Sequence, residues 1–360
     1  MTKRETVKSK PSTMYDVARL AGVSQPTVSR VLNNNDTTVL ISAETRQRVL
    51  AAVERLGYRP NLAARSLRTQ KTQTIALLIA DLSNGFYHRL ARSVQDVARQ
   101  HNYEVLISNS DHFYENEMHF CEIVLGRGVD GVAMIPQHLT AEDLDYYLTQ
   151  TQIPFVALGQ HIDHPRIDVV YVEDERATYE TTSWLIGECG HKTLGFIGVP
   201  DFLPPGPRRL RGFTRALNDA GLAVEPRFMQ QGNFSIEGGK RAANALVESG
   251  NVPSALVVIN DSTAIGVILA LQDAGYAVPD DVAVVGFDDI PEATIVRPAL
   301  TTISQYPREI GHRLATALFE RIENPDIVGR RMLECPYKRI ERQSTRQTVP
   351  VVDTSALPSE

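Results

Sequence analysis

From Thr74 to Phe287 the chain repeats one alternation, a short unbroken apolar run followed by a longer amphipathic stretch. The apolar runs are 74–80, 104–108, 131–135, 154–158, 194–198, 255–259 and 282–287. The amphipathic stretches are 86–101, 115–126, 141–149, 174–189, 208–221, 236–249, 260–274 and 307–323. A strand without polar alternation is buried on both faces, which requires a parallel sheet with helical crossovers covering it. The expected fold class is therefore α/β, doubly wound. Ligands in such sheets bind beyond the carboxyl ends of the strands. That directs attention to Asp81-Leu82-Ser83, Pro136-Gln137, Gly159-Gln160, Pro200-Asp201, Asn260-Asp261 and Asp288-Asp289.

Ahead of this body stands a different pattern. In Met14–Leu32, Val17 and Leu20 with Ala18 and Ala21 form one apolar face, Gly22 breaks the helix, and Ser24 is placed to cap a second one. There Val28, Val31 and Leu32 fall at i, i+3 and i+4 and point inward. Gln25, Thr27, Ser29 and Arg30 are left toward solvent as a row of hydrogen-bonding groups. Two short helices on a glycine turn, the second with a polar outer face, describe a helix-turn-helix that reads a DNA major groove. The plain alternative is a solvated helical hairpin. A third helix is expected after the turn-rich Asn33–Thr38, capped by Ser42, with Val49, Ala52, Val53 and Leu56 buried and Gly57 as its stop. The segment 61–68 has helical propensity but almost no apolar face. It is a plain linker, or a helix that forms only when DNA and a second copy hold it, with Leu67 as a wedge into the minor groove.

Charge supports the division. Residues 1–71 carry 13 Lys and Arg against 5 Asp and Glu, a charge of +8, leaving 24 against 38, or −14, in the remainder. A basic head on an acidic body suits a head that meets a polyanion. Residues 1–12 are polar and basic, expected to be disordered until they meet a phosphate backbone. No run of about 18 apolar residues exists to span a membrane, and Met1–Thr13 holds no apolar signal region. The three dispersed cysteines, Cys121, Cys189 and Cys335, read as reduced thiols of a cytoplasmic protein, with no disulfide framework or metal site.

Catalytic motifs are sparse. The chain has no Gly-rich phosphate loop, no G-x-S-x-G and no C-x-x-C. His112 and His119, near Glu115 and Glu117, read as surface histidines on a helical face. Asp288 and Asp289 are neighbours that point to different sides, which leaves an enzyme little to work with. A binding cleft has more support. Arg209 opens a helix past the proline-rich loop Leu203–Pro207, Asn260 and Asp288 each end an apolar strand, and Phe234 offers a flat apolar face. A guanidinium, an amide, a carboxylate and an aromatic platform are what a polyhydroxylated small molecule needs. A solute-binding protein serving a transporter also fits such a body, but the basic head and the missing signal argue against it.

The run YDVARLAGVSQPTVSRVLN, followed by SAETRQRVLAAVERLGYRPNLAARSL, resembles the DNA-binding head and hinge of the lactose-repressor (LacI/GalR) family of bacterial transcription regulators. Further matches are VDGV at Val129, GHKTLGFIG from Gly190, RLRGF from Arg209, IND at Ile259, VVGFDD from Val284 and PALTTISQ from Pro298, together covering about residues 13–345. The resemblance implies an effector-controlled repressor with no cofactor. Its body would be a periplasmic-binding-protein-like pair of α/β subdomains, with a sugar or sugar derivative held between them, and it would act as a homodimer on a palindromic operator. It divides the chain into a tail (1–12), a head (13–60), a hinge (61–72), a core (73–345) and a C-terminal tail (346–360). The subdomains would be about 73–170 with 295–329, and about 171–294 with 330–345, the chain crossing near 170, 295 and 330.

The resemblance also assigns residues. Gln25, Pro26, Thr27, Ser29 and Arg30 match major-groove positions, with Tyr15, Ser24 and Asn33 beside them; Asn61, Ala64 and Leu67, with Arg65, match the hinge in the minor groove. Arg209, Asn260 and Asp288 match positions that hold effector hydroxyls, Phe234 the aromatic wall, and Asp81, Ser83, Phe86 and Tyr87 the covering loop; Gln305 joins them. Departures are informative. The loop 34–40 is about three residues longer than usual, and Pro26 offers no side-chain donor for base reading. Gly159 replaces an acid found in some sugar-binding members, leaving Gln160 as its substitute, and Leu203–Pro207 lacks the arginine used by purine-responsive ones. The tail has no leucine heptad, so a dimer without a tetramer-forming helix is expected.

Overall fold

The computed structural model describes residues 12–33, 41–59 and 71–345. The chain divides into two compact units, Met1–Thr72 and Gln73–Glu360.

In the first unit, α1 (Met14–Ala21), α2 (Gln25–Asn33) and α3 (Ala43–Leu56) pack around Val17, Ala18, Ala21, Val28, Val31, Val49, Ala52 and Tyr58. So small a core leans on its helix ends. Thr13 and Asp16 close a capping box at the start of α1, satisfying two otherwise orphaned N–H groups. Ser24 Oγ accepts from the Thr27 N–H at 3.4 Å, and Ser42 Oγ from the Thr45 N–H at 3.2 Å. Gly57 ends α3 at φ 58°, a left-handed conformation that costs glycine nothing. One expectation is corrected: Leu20 stays 42% exposed, because Val17, Ala18 and Ala21 already fill the interface. Residues 1–11, the loop 34–40, residues 60–70 with most of the hinge, and the C-terminal tail lie outside the described residues.

The second unit holds two parallel sheets. The larger is ordered β11-β5-β4-β3-β1-β2, from β1 (Thr74–Ile79), β2 (Glu104–Asn109), β3 (Gly131–Met134), β4 (Phe155–Leu158), β5 (Ile167–Val172) and β11 (Met332–Cys335). The smaller is ordered β7-β6-β8-β9, from β6 (Leu194–Gly198), β7 (Met229–Gln231), β8 (Ala255–Val258) and β9 (Ala283–Val285). A short antiparallel pair, β10 (Thr302–Ser304) with β12 (Lys338–Ile340), completes the strands among the described residues. The crossovers are α4 (Gly85–Gln100), α5 (Tyr114–Arg127), α6 (Ala141–Thr151), α7 (Asp174–Gly187), α8 (Pro205–Asp219), α9 (Ile236–Glu248), α10 (Asp261–Asp273) and α11 (Pro307–Glu323). The strand interiors are dry: Ile75, Leu77, Val132, Val156, Val170, Ile197, Leu256 and Val284 are all fully buried.

The chain changes sheets later than expected. Thr301 and Ser304 bridge to Val285 and Asp288, so the passage back to the larger sheet comes after Ser304 and not near 295. Met332–Cys335 then pairs with Met332 opposite Val169 in the larger sheet, so 330–335 belongs there and not to the second subdomain. The reason is electrostatic. Asp168 on β5 is fully buried and accepts from Arg321 at 2.7 Å and from Arg331 at 2.7 Å, tying the end of α11 and the start of β11 to this edge. Burial alone would raise the Asp168 carboxyl; the two guanidiniums outweigh it and hold the pKa below the usual range. β5 itself was not expected, because that aspartate interrupts its apolar run.

Candidate functional site

On the head, α2 presents its polar face as expected. Gln25, Pro26 and Arg30 are exposed and Thr27 and Ser29 half-exposed, while Val28 beneath them is fully buried. Pro26 sits in the first turn, where its missing N–H breaks no helical bond. Ser24 is exposed, and Tyr15, 59% exposed on α1, lies 6.0 Å from the Arg19 guanidinium. Asn33 ends α2. Asn61, Ala64, Arg65 and Leu67 lie outside the described residues.

In the body, a cleft holding about 750 Å³ of empty space, part of it open to solvent, lies at the carboxyl ends of the strands. Every strand from β1 to β9 is followed by a residue that lines it: Tyr87, His112, Gln137, His161 and Asp174 from the larger sheet, Arg209, Phe234, Asn260 and Asp288 from the smaller. Parallel strands point their carboxyl ends the same way, so residues scattered over some 200 positions converge.

Of the ten expected effector contacts, seven line the cleft: Phe86, Tyr87, Arg209, Phe234, Asn260, Asp288 and Gln305. Asp81 and Ser83 do not; the Asp81 carboxylate caps its own turn, accepting from the Ser83 N–H at 2.8 Å and hydroxyl at 2.7 Å. Gln160 is also outside, its amide donating to Glu173 at 2.9 Å. The space at Gly159 belongs instead to His161, whose ring would lie 2.7 Å from a Cβ placed there. Gly159 has φ 120°, which only glycine adopts without strain.

Arg209 is 6% exposed and lies in the second turn of α8, not at its opening, because the helix begins at Pro205. Its guanidinium lies 3.5 Å from the centre of the Phe287 ring, donates to the Ile259 carbonyl, and stands 3.6 Å from Asp174. Burial lowers its pKa, and Asp174 and Asp288 oppose that. Arg208 grips Asp174 through two bonds of 2.9 and 3.2 Å. Asp288 accepts from the Gln305 amide at 2.6 Å; burial pushes its carboxyl up to about 7, against the pull of Arg209 and Gln305. Asp289 points away and binds Arg342 at 2.6 Å, as expected of the two neighbours. Asn260 is both cap and wall: Oδ1 accepts from the Thr263 N–H at 3.0 Å and Nδ2 donates to the Phe234 carbonyl at 3.2 Å. The Tyr87 hydroxyl is pushed above its ordinary pKa by burial and then by Asp288.

One expectation near α5 is overturned, and one buried acid there was not anticipated. His112 is no surface histidine: at φ 60° it turns inward, stacks on Phe234 at 5.2 Å, and burial lowers its pKa. Glu117 is fully buried and accepts three backbone N–H bonds, from Gln137 at 2.7 Å, His138 at 3.1 Å and Leu139 at 3.0 Å. It therefore holds the loop that carries Gln137 into the cleft. Five buried polar atoms on four cleft residues lack hydrogen-bond partners among the described residues: Arg209 Nε, His112 Nδ1, Gln137 Oε1 and both ring nitrogens of His161. Orphans of this kind mark where a ligand or water completes the bonding.

Comparison with known proteins agrees with both parts. Residues 13–61 match the model of bacterial regulatory proteins of the lacI family, and 187–345 match a periplasmic binding protein-like domain. Catabolite control protein A of Priestia megaterium is 36% identical over 335 residues, spanning 93% of this chain and 99% of its own. The chain belongs to the lacI family. A lac repressor dimer bound to operator and the anti-inducer ONPF superposes with a TM-score of 0.81 at 27% identity, over 93% of this chain and 99% of that one. A lacI-family regulator from Enterococcus faecium with bound ribose gives 0.68 at 27% identity, over 76% and 98%. This family member is thus a transcriptional regulator with a DNA-binding head and an effector-binding body. Among the described residues no helix is long and apolar enough to cross a membrane.

Proposed function

We propose that this regulator represses transcription by binding a palindromic operator as a homodimer, and that a sugar or sugar derivative in the cleft sets its operator affinity. Gln25, Ser29 and Arg30 read base edges, Pro26 makes at most an apolar contact, and basic residues and helix N-termini hold phosphates. The hinge around Asn61, Ala64 and Leu67 enters the minor groove at the operator centre. In the cleft Arg209, Asn260 and Asp288 meet ligand hydroxyls while Phe234 covers the C–H face of the ring. Effector binds one arrangement of the two subdomains better than the other, and that difference is the coupling free energy felt at the operator.

The observation that carries this reading is the convergence of guanidinium, amide and carboxylate groups, Arg209, Asn260 and Asp288 among them, on an aromatic-walled cleft, in a chain that also bears a lacI-type head. The test is fluorescence-anisotropy binding to DNA fragments from around its own gene, at two salt concentrations, with and without a panel of sugars. Sequence-selective binding with a steep salt slope, shifted by a panel member, is expected. Saturable sugar binding with no selective DNA binding would overturn the reading and favour a solute-binding role.

A further inference from the structure

The kind of effector follows from the hydrogen-bonding valence of the cleft, resting on the reading of that cleft as the effector site. Among its lining residues the formal charges are Arg208, Arg209, Asp174 and Asp288, two of each sign. Neither cation is uncompensated: Arg208 is held by both oxygens of Asp174, and Arg209 lies 3.6 Å from Asp174 and within the electrostatic reach of Asp288. An anionic ligand group would be desolvated with no free cation to receive it.

The unpartnered atoms point the same way. Gln137 Oε1 is an acceptor in a side chain only 5% exposed and asks for a hydrogen from the ligand. His161 lies over Gly159, in the place a side chain there would fill, and neither buried ring nitrogen has a partner of good geometry. Burial and the adjacent Arg208 hold its pKa down at about 4, against smaller opposing pulls from the Pro136 carbonyl and Asp174. Its imidazole is therefore neutral at ordinary pH, with one nitrogen donating and the other accepting. Asp288 adds a further acceptor. A group that must both give and take hydrogen bonds at several points is a set of hydroxyls. Phosphate dianions and carboxylates only accept.

We propose that this cleft selects an uncharged, hydroxyl-bearing end of the effector and rejects phosphorylated or carboxylated sugars, with His161 and Gln137 as its specificity-determining residues. The His161 imidazole occupies the space a side chain at 159 would fill, so ligand hydroxyls keep a partner there without a further formal charge.

Isothermal titration of the full chain with paired series tests this: neutral aldoses and disaccharides, their phosphate esters, and the matching uronic acids. A neutral member should bind at least tenfold more tightly than its charged counterparts. His161→Phe, which keeps the ring and removes both polar atoms, should weaken the neutral ligand about tenfold or more, and His161→Gln should recover most of the loss. Tighter binding of a phosphate or acid than of its neutral parent overturns this proposal and leaves the cleft as an effector site. Unchanged affinity in His161→Phe overturns the role of His161. Binding of no member of any series overturns both this and the effector reading.

Discussion

Glu117→Gln is the substitution that most directly probes how the cleft wall is built. The carboxylate is fully buried, its Oε1 accepting from Gln137 and its Oε2 from His138 and Leu139. A glutamine has the same shape but only one acceptor oxygen. With that oxygen toward His138 and Leu139, the amide NH2 confronts the Gln137 N–H, donor against donor; reversed, two N–H groups lose their acceptor. Hydrogen bonds to a charged acceptor contribute roughly 1.5–3 kcal/mol each, and an orphaned buried N–H costs about 1–3 kcal/mol. One bond lost and two weakened gives an expected destabilisation of about 3 kcal/mol. Urea unfolding followed by the fluorescence of Trp184, the single tryptophan of the chain, measures it. The denaturant slope should stay constant while the midpoint falls. Because the loop carries Gln137, effector affinity should drop about tenfold as well. A stability change under about 1 kcal/mol, with intact effector affinity, would refute the claim that this carboxylate holds the wall.

Three other outcomes are expected. Arg30→Ala should cost roughly 1–3 kcal/mol of operator binding and relax base preference at one position; equal weakening on all sequences would make Arg30 a phosphate contact. Effector affinity should rise with pH through about 7, because ligand hydroxyls favour the charged form of Asp288, whose burial has lifted its pKa from the ordinary 3.8 to about 7. With no ligand the sign reverses: a raised folded pKa contributes stability that is lost as pH climbs through that value. Titrations at several pH values check both, and an Asp288→Asn chain that kept the affinity slope would exclude this carboxylate as its source. Thr13→Ala opens the capping box on α1 and should destabilise the head by about 1 kcal/mol, read by its thermal unfolding.

Much of the architecture was legible because it rests on local rules. Leu194–Gly198 and Pro307–Glu323 have the bounds their residue patterns indicate, since an unbroken apolar run and a 3.6-residue period each report one environment. β7, β10, β11 and β12 carried no such signal. They are three or four residues long, β7 and β12 are half-exposed and mostly polar, and β11 alternates exposed and buried positions over only four residues, so only the neighbouring strand identifies them. β5 was hidden by Asp168, whose burial makes sense only with Arg321 and Arg331 from more than 150 residues away.

The same division runs through the candidate site. Residues next to strand ends, such as Asn260 and Asp288, could be named from the chain alone, because parallel sheets send all such positions to one edge. Gln137 was among them, whereas His112, Glu117, His161 and Arg208 could not be read this way. Whether His112 points to solvent depends on a positive φ and on Phe234 opposite it, and whether Glu117 is a surface acid or a buried anchor depends on where the 137–139 backbone runs. By itself the sequence determined the class of fold, the helix-turn-helix and the edge at which a ligand would bind, since periodicity, capping and composition act over a few residues. Tertiary structure alone decided which side chains complete the cleft and which charges cancel there, because desolvation and pairing are set by neighbours distant in the chain.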